Sequence, residues 1–377
     1  MQTRLYFDYN ASAPLATGLA DQFKEWLCLD PKNPNSVHAD GQAANALLET
    51  ARRKILTTLG AKKSDALVFT SGGTEANNAV MRSAFSRRKN RQTLIVTGVE
   101  HSCVRNMASQ LEREGAKLKI IPVSRAGKLD LQILQDNLSD AFLVVCMLAN
   151  NETGYVLPVT EVATLAAKAG VPVLSDAVCA IGKIPFHFSE LGIDYATFSA
   201  HKFGALKGIG GILYRKVAGL EPFILGGPQE LEKRAGTQNL HGVLSTEFAL
   251  MANLNGLEIE NQRQRSLRET FKLGILQIYP QAIFHESLHN LPQTLNVSFP
   301  GLKGALLLTN LDLSGISASH GSACASGALE VSPILRHIGL PEIEASSAIR
   351  FSFGRKTTTE DGNEFLHRLK TVIEMMV

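Results

Sequence analysis

Apolar and polar positions alternate in two distinct rhythms along the first 250 residues or so. Short, nearly continuous apolar runs fall at 66–70, 94–97, 118–121, 142–148, 171–174, 195–198 and 209–213. Runs of this length with no polar alternation predict strands buried on both faces. Between and before them, apolar residues recur every three or four positions. That spacing predicts helices at 17–27, 41–59, from 74 to about 85, and at 104–113, 131–138 and 159–169. Strands alternating with helices predict an α/β fold with a mostly parallel central sheet covered on both sides. After the Gly-Gly-Pro at 226–228 the rhythm changes. Long helices are expected from 243 and over 258–279. A mixed unit then follows: strand 294–298, helix 302–311, strand 315–319, strand 348–353 and a last helix from 359. The division expected is a large domain over 15–255 and a smaller domain formed by 1–14 with 256–377.

Composition narrows the class. A chain of 377 residues can bury a sizeable core in one large and one small unit. With 45% apolar and 19% charged residues the balance is that of a soluble globular protein. Net charge is only +3, and the one dense basic cluster, at 87–91, follows a predicted helix. Nothing here makes an electrostatic case for nucleic acid. Cysteines at 28, 103, 146, 179 and 324 have neither CxxC spacing nor an even count. Neither a zinc site nor a disulfide framework is expected, and a reducing, cytoplasmic setting fits. The N-terminus lacks a signal-peptide apolar core, and the most apolar run, 141–149, is too short to span a bilayer.

In parallel sheets ligands gather at the carboxyl ends of the strands, so the polar residues just past each run hold the interest. The stretch 194–202 ends a strand in Ser199, His201 and Lys202, with a Gly-rich run at 207–211 behind it. A lysine at such a strand end suits a Schiff base with an aldehyde cofactor, although a solvated surface lysine is the ordinary alternative. Ser71-Gly72-Gly73-Thr74 joins a strand to a helix, a setting that suits a phosphate, or simply a helix cap. Asp176 ends another strand; its carboxylate needs a cationic partner such as a protonated pyridine nitrogen, or caps the next helix. His101 could stack on a flat ring or move protons, or be structural. Cys324 sits in a segment of small residues, Ser319 to Gly327, with nothing large and apolar to bury it. That makes it a candidate nucleophile if its pKa is lowered, with His320 the nearest group that could do so. Arg350 interrupts an apolar strand, where it could hold a substrate carboxylate bidentately or pair with a core acid.

Taken in order, these segments resemble the cysteine desulfurases, pyridoxal-phosphate enzymes of the class-V aminotransferase group. The resemblance rests on 6–14, 33–38, 71–78, Glu100-His101, 150–154, Asp176-Ala177, 199–202, 234–237, 321–326 and 350–355, and spans nearly the whole chain. It implies a fold-type I enzyme with pyridoxal 5'-phosphate on Lys202, which also moves the substrate α-proton. It further implies Asp176 at the pyridinium nitrogen and His101 stacked on the ring as acid/base. The phosphate would be held by Gly73, Thr74, Ser199 and His201, joined by Thr237 from the second subunit of a homodimer. Asn151 would approach the ring-side oxygen, and Arg350 with Asn35 would receive the carboxylate of L-cysteine. Cys324 would take the sulfur as a persulfide for an acceptor protein, in iron–sulfur cluster or thio-cofactor synthesis, while L-alanine leaves. The length from Gly321 to Leu335 resembles the branch with a long cysteine loop.

Three positions depart from the family pattern. Cys179 stands where relatives carry a Gln that donates to the cofactor's phenolic oxygen. A thiol is a weak donor, so altered protonation at the lysine–cofactor bond is expected, with a tolerated small replacement as the alternative. His320 replaces a small hydroxyl residue. The chain stops at Val377, directly after the last predicted helix, where relatives that serve a general scaffold often continue with a docking tail. Within the same fold, selenocysteine or cysteine-sulfinate lyase activity and small-amino-acid transamination are the alternatives. A non-catalytic binding subunit is disfavoured by Lys202, Asp176, His101, Cys324 and Arg350 occurring together.

Overall fold

The computed structural model describes residues 4–29, 31–321 and 331–377. Its strands, in chain order, are β1 (Leu5–Tyr6), β2 (Asp65–Thr70), β3 (Thr93–Thr97), β4 (Lys117–Ile121), β5 (Ala141–Val145), β6 (Val173–Asp176), β7 (Tyr195–Ser199), β8 (Gly210–Arg215), β9 (Ile283–Phe284), β10 (Thr294–Ser298), β11 (Ile316–Ser317) and β12 (Ala348–Ser352). Seven of them form one sheet in the order β2-β8-β7-β6-β5-β3-β4. Strands β3 to β7 run parallel; β8 lies antiparallel to both of its neighbours, β7 and β2. The pattern of apolar runs has its physical cause in this sheet. Along β2, Leu67 and Phe69 enter one core while Ala66 and Val68 enter the other. Helices Gly73–Ser86 and Ser102–Arg113 supply the second core, and Ala39–Thr58, Val159–Lys168 and Leu240–Leu254 the first.

A smaller antiparallel sheet, β12-β10-β9, and the parallel pair β1-β11 build the other unit. Its own core joins Leu5 and Phe7 to Phe271, Phe351, Phe353 and Phe365. Helix Thr359–Met376 starts with a capping box: Thr358 Oγ1 accepts from the Asp361 N–H, and the Asp361 carboxylate accepts from the Thr358 N–H.

Several boundaries differ from expectation, strand 315–319 shrinking to Ile316–Ser317 and the helix expected from 243 starting at Leu240; two of the differences have clear reasons. The run 142–148 is a strand only to Val145, because β3 has ended beside it. Cys146 and Leu148 still donate to Leu174 and Asp176 carbonyls, but the Met147 N–H turns to the Glu100 carboxyl at 2.7 Å. Strand β6 starts at Val173 rather than 171, since Pro172 has no N–H for a ladder.

Candidate active site

The carboxyl ends of β5, β6 and β7 open into a cavity of about 230 Å³ whose lining includes Lys202, Asp176, His101, Asn151 and Arg350. Lys202 is placed by the turn that ends β7. A one-turn helix, Ala200–Phe203, carries it past the sheet edge, and Gly204 (φ 84°) stops that turn. A Cβ on Gly204 would stand 2.8 Å from the Pro14 carbonyl oxygen, so glycine is required twice over. Lys202 Nζ donates to the carbonyls of Asn10 (2.6 Å) and Ala11 (3.0 Å). Those two residues lie in a turn, closed by the Ala11 N–H to the Asp8 carbonyl at 3.0 Å, that interrupts the extended run expected over 6–14; the smaller unit holds it through the Asn10 N–H to Ser352 Oγ at 2.9 Å. The lysine head is thus fixed by backbone dipoles from across the junction of the two units.

Asp176, nearly fully buried at the end of β6, is held by two donors: Asn77 Nδ2 at 2.7 Å and the Val178 N–H at 3.0 Å. Asn77 itself is oriented by Thr197 Oγ1, which donates to its Oδ1 at 2.6 Å and so points its NH₂ at the carboxylate. Both donors are neutral. Neither competes with a cation in the cavity for the position beside this carboxyl group. His101 caps helix Ser102–Arg113 by accepting the Cys103 N–H at Nδ1 (3.2 Å), which puts the ring proton on Nε2. Burial, with the charges of Lys202 and Arg105 and against that of Asp176, holds its pKa below the usual histidine value. The ring is neutral near pH 7. Cys103 lies against it, Sγ 3.1 Å from Nδ1, and burial pushes that thiol up to about 12.

The other end of the cavity favours an anion. Gly73 and Thr74 line it from the first turn of Gly73–Ser86, a helix whose N-cap, Gly72, offers no capping side chain. The N–H groups of that turn, with the helix dipole, face the space beside Ser199 and His201. A Cβ on Gly73 would lie 2.6 Å from Val178 Cγ2, so the close approach of helix and cavity wall needs glycine. His201 is pushed down to about 4 by burial and by the charges of Lys202, Lys207 and Lys183. It offers a neutral ring. Arg350, 2% exposed on β12, donates Nη1 to the Asn151 carbonyl (2.9 Å) and Nη2 to Asp8 (2.5 Å). It is both paired with an acid and part of the cavity wall. Cys179 is buried in the same wall as a free thiol.

A carboxylate at one end, an uncapped helix start at the other and a lysine between them fit a ring cation joined to a phosphate and an aldehyde. Pyridoxal 5'-phosphate has that make-up. The residues present fit it by type: Asp176 for a pyridinium nitrogen, Gly73, Thr74, Ser199 and His201 for the phosphate, Lys202 for the aldehyde carbon.

Two expected site residues do not reach this cavity within the chain. Asn35 is exposed and donates to Gln238 Oε1 at 2.8 Å, and Thr237 lies in a separate groove with Arg234, Gly236 and Gln238. Cys324 lies outside the described residues. His320 does not act on a thiol among them; its Nδ1 donates to the Ala348 carbonyl at 2.7 Å. The sequence reading missed Asn10, Asp8 and Asn77. Asn77 had a signal, lying one turn after Gly73 on the same helix face. Among the described residues no cluster of His, Cys, Asp or Glu could hold a metal, and no helix is long and apolar enough to cross a membrane.

The aminotransferase class-V family model matches residues 5–365. A cysteine desulfurase of Cereibacter sphaeroides is 38% identical over 376 residues, covering 99% of this chain and 96% of that protein. Cysteine desulfurase IscS of Dictyoglomus turgidum is 36% identical over 379 residues, with 100% and 96% covered. Among solved structures, a NifS-like protein superposes with a TM-score of 0.92 at 33% identity, covering 99% of this chain and all of that one.

Proposed function

From the premise that the chain belongs to the aminotransferase class-V family and groups within it with the cysteine desulfurases, we propose that it converts L-cysteine to L-alanine. The sulfur passes to Cys324 as a persulfide and then to an acceptor protein, for iron–sulfur cluster or thio-cofactor synthesis. The observation that carries this reading is the convergence of Lys202, Asp176, His101 and Arg350 on one cavity. The proposed cofactor is pyridoxal 5'-phosphate, whose protonated ring, when bound, takes up the electron pair left at the substrate Cα.

The residues divide the remaining work. Arg350, steadied by Asp8 and the Asn151 carbonyl, holds the substrate carboxylate. Lys202 Nζ, positioned by the carbonyls of Asn10 and Ala11, would move the proton at Cα. Asp176, oriented by Asn77 and Val178, would hold the ring nitrogen and favour its protonated form. His101, neutral and with its proton on Nε2, can serve the sulfur or the cofactor oxygen as acid and then as base. The step balances: the substrate C–S bond breaks, an S–S bond forms at Cys324, and the thiol proton replaces sulfur at Cβ. Asn35 and Thr237 are assigned to the partner's cavity in a homodimer. Phe223, Ile224, Leu225 and Leu231, all exposed in the same region of the chain, would be covered there. A cytoplasmic setting suits free thiols and a persulfide.

The test is release of alanine and sulfide from L-cysteine with a reductant present. Wild type is expected to make both in equal amounts, and Cys324→Ala neither. If Cys324→Ala keeps most of the activity, the thiol is not the nucleophile and a lyase reading replaces this one.

A further inference from the structure

Lys202 is a wall between two cavities. The second, of about 210 Å³, shares Lys202 with the first and no other lining residue. It sits where the chain passes between its two units, bordered by 13–17, 252–257 and 353–356. Exposed Leu15, Thr17, Arg355 and Lys356 form its mouth, and Lys183, Asn261 and Gln293 lie within. Gln293 is 2% exposed, and neither atom of its amide has a partner among the described residues. Asn261 is 1% exposed, and its Nδ2 likewise has none. Lys183 Nζ donates to Asn10 Oδ1 at 3.2 Å, leaving its other protons for the cavity. Glu260, the one acid in the lining, is already held by Arg263 at 2.8 Å and by Gln264.

Buried amides are nearly always bonded in folded proteins. Two together in the lining of one cavity point to a polar guest. The balance of groups selects its sign. The amides offer donors and acceptors alike, so charge decides: Lys183 and Lys202 line the cavity, Arg355 and Lys356 stand at its mouth, and the one acid, Glu260, is already paired, which together raise the local concentration of anions. Phe203, Leu257 and Phe353 add apolar wall. We infer that this cavity binds a short-chain carboxylate, its oxygens on Gln293, Asn261 and Lys183 and its aliphatic end against Phe203, Leu257 and Phe353. Burial, with the charges of Lys202 and Arg350 and against Cys179, pushes Lys183 down to about 8, a tension that a bound anion relieves.

The experiment titrates sodium acetate into the holoenzyme at constant ionic strength, with chloride as the balancing salt, and reads the thermal midpoint. Wild type is expected to show a saturable rise. Gln293→Leu replaces an unpartnered amide by an apolar group of similar size, so it should fold at least as well. It should weaken the apparent acetate affinity about tenfold. Asn261→Leu is expected to do the same and stands in should Gln293→Leu fold poorly. Arg350→Ala, which removes the substrate carboxylate site, should leave the rise in place. No saturable rise, or a rise that vanishes in Arg350→Ala and persists in Gln293→Leu, overturns the inference. Neither outcome bears on alanine release, which tests the reaction separately.

Discussion

At the scale of single residues, the least expected group is Glu100. It is fully buried beside His101, and its Oε1 accepts from Thr97 Oγ1 (2.6 Å) and the Met147 N–H (2.7 Å). Its Oε2 has no partner among the described residues. Burial, helped by the charge of Asp176, pushes its pKa up to about 8. It is therefore protonated near pH 7. The sign for stability follows. Between the ordinary glutamate value and about 8, the native state keeps a proton that the unfolded chain releases, so folding weakens as pH rises through that window. The slope from this one group approaches about 1.4 kcal/mol per pH unit. Glu100→Gln keeps an acceptor for both donors and cannot titrate. Denaturant midpoints measured from pH 5 to 8 should show the variant gaining on wild type steadily with pH. Parallel curves would mean that Glu100 is ionised in the native protein.

At the scale of elements, the strands and helices of the main sheet were legible because each is buried on a fixed face. The apolar period is then the burial period, as the split of β2 between two cores shows. Lys202, Asp176 and His101 were legible for a related reason: polar residues directly after an apolar run mark a strand's carboxyl end. Asn10 was not, because its work is done by a backbone carbonyl that any residue possesses. Glu230 was not either. It lies in a loop where three consecutive non-glycine residues, Glu230, Leu231 and Glu232, have positive φ. Such backbone is costly, and what holds it is long-range. Glu230 pairs bidentately with Arg52 of helix Ala39–Thr58, both bonds 2.8 Å, and accepts the Phe69 N–H from β2 at 2.8 Å. No local pattern reveals a partner 178 positions away. The pair is buried on both sides. Glu230→Ala removes two of the guanidinium's bonds, leaving it Glu49 at Nε (3.0 Å) and the Leu67 carbonyl (2.7 Å), and frees the loop; it is expected to cost about 3 kcal/mol in denaturant unfolding. A loss under about 1 kcal/mol would show that the loop is held by other contacts.

At the scale of the whole molecule, the question is why Thr237 should lie outside the cavity of its own chain. Its loop is tied to the anion-favouring end of the site on the same subunit. Arg234 Nε binds Glu75 at 3.1 Å, and Glu75 accepts the Ser71 N–H at 2.8 Å, both beside the start of helix Gly73–Ser86. The threonine itself is exposed, on the loop whose Arg234 and Ala235 pair with Ile224, and Phe223, Ile224, Leu225 and Leu231 expose an apolar surface on the same stretch of chain. A twofold dimer through that apolar patch would bring each loop to the other subunit's phosphate end, because an isologous contact places identical loops symmetrically about its axis. If so, each site draws Lys202 from one chain and Thr237 from the other. Two defective chains can then repair each other. Lys202→Ala lacks the lysine, and Thr237→Asp sets a negative charge against the phosphate. In a mixed dimer, one site collects both lesions and the other collects none. Equal mixing and reassociation makes half the dimers mixed, each with one intact site of two, so about a quarter of wild-type alanine release should return. If each site were built from one chain alone, mixing would restore nothing above the sum of the two parents.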